Sequence, residues 1–110
     1  MATFVKSDIV VLPFPFSDLS ASKRRPALVL ANLQGDDIIL CQITSKNTKD
    51  NYAIALNSND FVGGSLSVAS NIRPNRLFTA DKKIIAYTTG RISQFKYQEV
   101  TKAIIDLIQI

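Results

Sequence analysis

The sequence has no histidine and only one cysteine, Cys41. A single cysteine cannot form an internal disulfide. Without histidine the chain can build neither a standard zinc site nor a Cys–His or Ser–His catalytic pair. Cys41 lies inside the apolar run Ile38–Ile43, so we expect a small buried side chain rather than a nucleophile.

The sequence also lacks signals for export or membrane insertion. Its first residues, Met1–Phe4, have none of the features of a secretory signal peptide. No apolar run approaches the ~20 residues that span a bilayer, and no repeat, low-complexity tract or interdomain linker interrupts the chain. We therefore expect a cytoplasmic protein with one domain over residues 1–110 and no membrane contact.

Apolar residues are abundant for so short a chain. They make up 46% of the 110 residues, whereas charged residues make up 20%. A chain of this length has a modest core, so we expect part of the apolar surface to be buried in a homodimer. A well-packed monomer with scattered exposed apolar groups is the alternative. The net charge of +4 is compatible with a polyanionic partner but does not establish one.

Short apolar runs separated by turn-forming residues indicate a mainly β protein. The predicted strands are Ile9–Leu12, Ala27–Leu30, Ile38–Thr44, Tyr52–Leu56, Ser65–Ser70 and Ile84–Thr88. Loops or turns are predicted at Phe14–Lys23, Gln34–Asp37, Ser45–Asn51, Asn57–Gly64 and Asn71–Arg76, and Gly90 is predicted to end the last strand. Ile38–Thr44 is nearly continuous in apolar residues, so we expect it to be buried on both faces.

The C-terminal segment has a helical pattern. Ser93 is a good N-cap residue, and apolar side chains then recur at helical spacing at Tyr97, Val100, Ile104, Leu107 and Ile108. Short strands followed by one amphipathic helix predict an antiparallel, barrel-like sheet covered by a C-terminal helix.

Three consecutive cations, Lys23, Arg24 and Arg25, precede Pro26 at the boundary between a predicted loop and a predicted buried strand. Pro26 favours an extended backbone at Arg25. An arginine fixed at a strand start presents a planar fork that matches a phosphate. The alternative is a solvated charge cluster that protects the strand end.

Two further segments carry polar groups suited to nucleic acid. Thr44 and Ser45 follow the third predicted strand and could donate hydrogen bonds to a phosphate oxygen, although hydroxyls in this position also cap turns. The segment from Ser70 to Arg76 contains Arg73 and two asparagines, a set suited to phosphates and base edges of unpaired RNA. The alternative for this segment is an ordinary exposed turn.

These motifs occur in the order found in a known family. The segments Ser7–Asp18 and Lys23–Leu30 resemble the opening of the MazF/PemK toxins, in which a first strand and a loop precede an Arg-Pro pair and a second apolar strand. The step Ile43–Ser45 is similar to the end of the third strand in that family. Ser70–Thr79 resembles a later segment, and Gly90–Ser93 resembles the turn into the terminal helix.

The resemblance implies an SH3-like barrel of the MazF/PemK/CcdB type, a homodimer, and neutralisation by a cognate antitoxin protein. It also implies sequence-selective, metal-independent cleavage of single-stranded mRNA through a 2′,3′-cyclic phosphate, without a cofactor. The family's catalytic arginine and threonine correspond to Arg25 and Thr44. The residues expected to bind RNA are Lys23, Arg24, Ser45, Ser70, Arg73 and Arg76.

Two departures from the family pattern leave the general base unassigned. The first loop has no glutamate before the Arg-Pro pair, and Ser70 stands where some members have an aspartate. Asp18 is a weak candidate for this role. Two other functions remain open: a non-catalytic, CcdB-like toxin that binds a protein such as DNA gyrase, and an inactive homologue retained as a binding module.

Overall fold

The structure is a computed structural model that describes residues 3–14, 23–45 and 51–109. These residues form seven strands and one helix: β1 Asp8–Phe14, β2 Lys23–Asn32, β3 Asp37–Thr44, β4 Ile54–Leu56, β5 Phe61–Gly64, β6 Ser70–Asp81, β7 Tyr87–Ile92 and α1 Gln94–Ile108. The strands form one sheet in the order β4-β6-β3-β2-β1-β7-β5. All of the strand pairs are antiparallel, and the sheet curves into a half-barrel. The predicted fold class, an SH3-like antiparallel barrel with a C-terminal helix, is confirmed.

Both faces of the central strands are buried. One face carries the helix-side core, which includes Ile9, Leu28, Cys41, Ile43 and Val100 of α1. The other face carries the opposite-face core, which contains Phe4, Val10, Leu12, Phe14, Ala27, Val29, Ile38 and Leu40. Since successive side chains in a strand point to opposite faces, burial on both faces explains the continuous apolar runs of β1–β3. The expectation that the strand Ile38–Thr44 is buried on both faces is confirmed.

The C-terminal helix begins as predicted. The Ser93 hydroxyl accepts a hydrogen bond from the Lys96 amide at 3.1 Å, which satisfies one of the free donors at the helix start. Val100 is fully buried, while Tyr97 and Ile104 pack against the helix-side core. Ile108 is exposed, so its assignment to the apolar stripe was wrong. In the described residues no helix is both long and apolar enough to cross a bilayer.

The first two strands are longer than predicted. β1 continues through Pro13, which lies opposite Arg24 of β2. Within the described residues β7 pairs with β1 only as far as Val11. Pro13 therefore lies where one side of β1 has no partner strand, and its missing N–H breaks no ladder. β2 begins at Lys23, so the basic cluster lies within the strand.

The predicted turn at Asn71–Arg76 is part of a strand. In β6, Ile72 pairs with Ile43 and Leu77 pairs with Cys41, so the intervening residues of β6 face a single residue of β3. This bulge accommodates Pro74, which is buried, because a proline at a bulge need not donate to the ladder. The turn-forming composition of the segment reflects the bulge.

Three other segments differ from the prediction. Ser65–Ala69 is irregular, because its alternating apolar residues have no partner strand among the described residues. The predicted turn at Asn57–Gly64 contains a 3-10 turn, Ser58–Asp60, and then β5. β4 is limited to Ile54–Leu56.

The last strand starts three residues later than predicted and does not end at Gly90. A 3-10 turn, Lys82–Ile84, occupies the predicted strand start. Gly90 lies inside β7, where an added Cβ would be 2.8 Å from the Gly63 carbonyl oxygen and 3.0 Å from the Phe61 ring. The glycine is therefore required for the close approach of β5, not for a strand end.

Candidate functional site

The predicted site lies at the end of the sheet where β2 begins and β3 ends. Lys23, Arg24 and Arg25 are the first three residues of β2, and Thr44 is the last residue of β3. β2 and β3 are neighbours in the sheet, and their register includes the pair Ala27–Gln42. Sheet pairing therefore brings together two segments that are about twenty residues apart in the sequence.

Arg25 and Thr44 lie on the same face of the sheet. Residues that pair across an antiparallel ladder share a face, as do residues two positions apart in a strand. Ala27 pairs with Gln42, so a step of two residues along each strand leads to Arg25 and Thr44. On the outer side of β2, Arg25 pairs with Leu12 of β1. This is the face of the opposite-face core.

The environments of the two residues differ. Thr44 is buried and lies opposite Asn71 of β6. Arg25 is half-buried, and its Nε atom is buried without a hydrogen-bond partner in the described ranges. A buried donor of this kind costs free energy unless an acceptor is supplied. Since this Nε is out of reach of solvent, a ligand oxygen would use the terminal N–H groups of the guanidinium.

A cavity of about 280 Å³ lies at this end of the sheet on the helix-side face, since Ile43 belongs to the helix-side core and Leu66 packs against it. The register between β2 and β3 stops at Ala27–Gln42. The cavity is lined by Val11, Arg24, Arg25, Pro26, Ile43, Ser45, Leu66, Ser67, Val68, Ser70 and Tyr87. Four of the predicted site residues, Arg24, Arg25, Ser45 and Ser70, line this cavity, whereas Thr44 does not.

The other predicted RNA-binding residues do not line this cavity. Lys23 is exposed at the start of β2. Arg73 is half-buried in β6. Arg76 is exposed and lines a separate cavity of about 220 Å³, together with Phe14, Gln42, Leu77 and Phe78. Phe14 pairs with Lys23 in the sheet. The predicted RNA-binding residues therefore extend across the sheet end beyond the cavity.

Cys41 is not available as a nucleophile. It is fully buried in the helix-side core, and its Sγ donates a hydrogen bond to the Arg73 carbonyl oxygen at 2.9 Å. Burial raises the pKa of the Cys41 thiol to about 12, against the smaller opposing effects of backbone hydrogen bonding at Arg73 and of the Arg73 charge. The expectation of a buried side chain is confirmed, and the thiol is protonated near neutral pH.

The prediction of the site missed the far wall of the cavity, formed by Leu66, Ser67, Val68 and Tyr87. Residues 65–70 were predicted to form a strand, but residues 65–69 form an irregular segment that contributes to the wall of the cavity. Tyr87 was assigned to the interior of a strand, whereas it begins β7 opposite Val11. Asp18 lies outside the described residues.

The fold and the site together define a small β half-barrel with a C-terminal helix and a cationic cavity at one end of its sheet. Residues 6–108 match the family described as the PemK-like, MazF-like toxin of type II toxin–antitoxin systems. The chain belongs to this toxin family. Comparison with curated proteins found no match.

Solved structures of similar fold are distant in sequence. A MazE–MazF structure from Deinococcus radiodurans has a TM-score of 0.76 and 19% identity, with 96% of this chain and 95% of that chain covered. An endoribonuclease in complex with its cognate antitoxin, from a mycobacterial species, has a TM-score of 0.75 and 12% identity, with 98% of this chain and 97% of that chain covered. The Mycobacterium tuberculosis toxin MazF-mt6 has a TM-score of 0.73 and 13% identity, with 94% of this chain and 97% of that chain covered. At these identities the likeness establishes the fold.

Proposed function

We propose that this toxin is an endoribonuclease that cleaves single-stranded mRNA at selected sequences without a metal ion, using Arg25 and Thr44 as its catalytic pair. Family membership supports a toxin, and two of the similar structures are described as an endoribonuclease and as MazF-mt6. The observation that supports the proposal is the sheet register, which directs Arg25 and Thr44 to the same face at the end of the sheet where β2 begins and β3 ends.

In the proposed reaction the substrate supplies the nucleophile. The ribose 2′-hydroxyl gives its proton to water and its oxygen attacks the adjacent phosphorus; a new P–O2′ bond forms, and the P–O5′ bond breaks. The departing 5′-oxygen takes up a proton, which leaves a 2′,3′-cyclic phosphate and a 5′-hydroxyl. The protein therefore needs no activated serine and no thiol. Its task is to align the attack and to stabilise charge on the phosphorane-like transition state.

Arg25 suits the second task. Its guanidinium carries a permanent charge and several donors in a planar fork, and its buried Nε has no acceptor among the described residues. The terminal N–H groups of the guanidinium would donate to a non-bridging phosphate oxygen and to the departing 5′-oxygen, which would take its proton from water because the guanidinium keeps its own. The Thr44 hydroxyl, with Ser45 next to it in sequence, would hold a second phosphate oxygen.

The surrounding polar and basic residues would bind the RNA on either side of the cut. Arg24, Ser45 and Ser70 line the cavity beside Arg25. Lys23, Arg73 and Arg76 extend the proposed path across the sheet end. Contacts of lysine and arginine with phosphates release counterions, so binding should weaken steeply as salt is added.

We also propose a cytoplasmic homodimer that a cognate antitoxin neutralises. Two of the similar structures contain a toxin with its antitoxin. Several large apolar side chains, among them Val62, Phe95 and Ile108, are exposed in the single chain. A subunit interface would remove part of this apolar area from water.

The test is incubation of the purified protein with a long single-stranded RNA in EDTA, followed by mapping of the fragment ends. We expect discrete cuts with 5′-hydroxyl ends. Intact RNA from a folded protein that still arrests growth would instead favour a toxin that acts on a protein target. Intact RNA without growth arrest would favour an inactive homologue.

A further inference from the structure

The cavity beside Arg25 has walls of mixed chemistry. Val11, Pro26 and Ile43 form its apolar sheet side, while Leu66 and Val68 face them from the irregular segment before β6. The Tyr87 side chain lies at the same cavity and is 52% exposed. A phosphate alone would need none of these apolar and aromatic groups.

Apolar walls and an aromatic ring beside polar groups are the means by which proteins hold a single unpaired base. We propose that this cavity is the specificity pocket of the enzyme and receives one base next to the scissile phosphate, with Tyr87 as its stacking residue. This inference rests on the proposed ribonuclease function and adds a base subsite to it. Although strand alternation directs Arg25 towards the opposite face of the sheet, Arg25 also lines this cavity at the sheet end, so we assign the base in the pocket to a nucleotide that flanks the cut.

The polar groups of the pocket select the edge of the base. Arg24 can only donate hydrogen bonds, and it is the strongest polar group available besides the proposed catalytic arginine. The Ser70 hydroxyl already donates to the Val68 carbonyl oxygen at 3.0 Å. Among the described lining residues there is no carboxylate and no side-chain amide. A pocket rich in donors favours uracil or guanine, which carry a carbonyl oxygen (O4 or O6) at the position where cytosine and adenine carry an amino group.

The roles of Tyr87 and Val68 can be separated by substitution. Tyr87→Ala removes the stacking surface at an exposed position, and Tyr87→Phe keeps the ring. Val68→Phe adds volume to an exposed wall residue and should narrow the cavity. Tyr52→Ala is the matched control, because Tyr52 is also an exposed tyrosine, at 46%, but lines a different cavity beside α1.

The experiment uses the full-length protein and RNA oligonucleotides built around one mapped cut. In each series only one flanking base is changed, to adenine, cytosine, guanine or uracil, and the initial cleavage rate is measured at low RNA concentration. We expect one flanking position at which uracil, guanine or both are cut at least tenfold faster than adenine and cytosine. The separate uracil and guanine substrates decide between these two bases.

Loss of a stacking platform should lower the rate on the preferred substrate about tenfold or more in Tyr87→Ala. Val68→Phe should flatten the base preference, Tyr87→Phe should recover most of the loss, and Tyr52→Ala should match the unaltered protein. If the unaltered protein cleaves RNA but Tyr87→Ala and Val68→Phe keep its rates and base order, the pocket assignment is overturned alone. A preference for adenine or cytosine would also overturn it. Failure of the unaltered protein to cleave any RNA would overturn the proposed function itself.

Discussion

Replacing Lys96 with methionine should destabilise the fold far more than the same change at a surface lysine of the same helix. Lys96 lies in the first turn of α1, and its side chain is only 11% exposed. Its Nζ donates a hydrogen bond to the Ala55 carbonyl oxygen at 3.1 Å. The same atom lies 2.9 Å from Glu99 Oε1 and 3.6 Å from Asp60 Oδ2. One ammonium group thereby joins α1 to β4 and to the 3-10 turn before β5.

The size of the loss follows from these contacts. A hydrogen bond that involves a charged group contributes about 1.5–3 kcal/mol. Lys96→Met removes such a bond from the Ala55 carbonyl and leaves the Asp60 carboxylate without its buried cation. Asp60 is partly exposed and Glu99 is nearly half exposed. Water can therefore solvate both carboxylates when the lysine is removed, and the destabilisation is smaller than for fully buried carboxylates. Methionine keeps most of the apolar contact of the lysine stem. We expect a loss of about 2 kcal/mol in the free energy of unfolding.

The control is Lys102→Met in the same helix. Lys102 also pairs with a carboxylate, Asp106, at 3.3 Å, but the two side chains are 78% and 64% exposed. Such pairs contribute about 0.5 kcal/mol or less. Urea unfolding near neutral pH, followed by circular dichroism, measures both variants. Equal losses in the two variants would refute the argument that burial makes the Lys96 contacts strong.

Three further changes have expected outcomes. Ser7 has a left-handed backbone with φ of 84°, which is strained for serine but not for glycine. Ser7→Gly relieves this strain but gives the unfolded chain more conformational freedom, so we expect a net gain of about 0.5 kcal/mol in the free energy of unfolding. A loss of stability in urea unfolding would contradict this expectation. The Cys41 thiol ionises near 9.0 in the unfolded chain but near 12 in the folded one. The stability should therefore fall by up to about 1.4 kcal/mol per pH unit above about pH 9. Cys41→Ala should reduce this slope without removing it, because burial also raises the pKa of Tyr97; an unchanged slope in the variant would contradict the contribution of Cys41. Thr44→Val keeps the side-chain shape but removes the hydroxyl. This variant should cleave RNA about 100-fold more slowly, and its circular dichroism spectrum should be unchanged. A normal cleavage rate would show that Thr44 has no part in the proposed mechanism.

The parts of the fold that could be predicted are those in which local pattern and tertiary packing agree. The continuous apolar run Ile38–Thr44 forms β3 almost as predicted, because burial on both faces requires such a run. Ser93 begins the helix because its hydroxyl satisfies a free amide. Asn71–Arg76 was mispredicted because Pro74 looks the same in a turn and in a bulge, and only pairing with β3 distinguishes them.

In the candidate site, too, the local sequence indicated individual residues but not how strand pairing arranges them. Arg25 and Thr44 were identified from motifs near strand ends, but their proximity depends on the β2–β3 register, which no single segment encodes. The wall of the cavity was missed for a similar reason. Leu66 and Tyr87 lie in segments whose local composition favours strands, and only long-range pairing brings them to one cavity.

The most direct test of the central claim compares the unaltered protein with Arg25→Ala on one mapped RNA oligonucleotide in EDTA. Lys83→Ala serves as the control for loss of one positive charge, because Lys83 is exposed and pairs only with Asp36 in the described residues. The account predicts that Arg25→Ala remains folded and cuts at least about 1000-fold more slowly. It also predicts that Lys83→Ala cuts at the normal rate to give 5′-hydroxyl ends. A folded Arg25→Ala protein that still cuts the RNA at the normal rate would contradict the account.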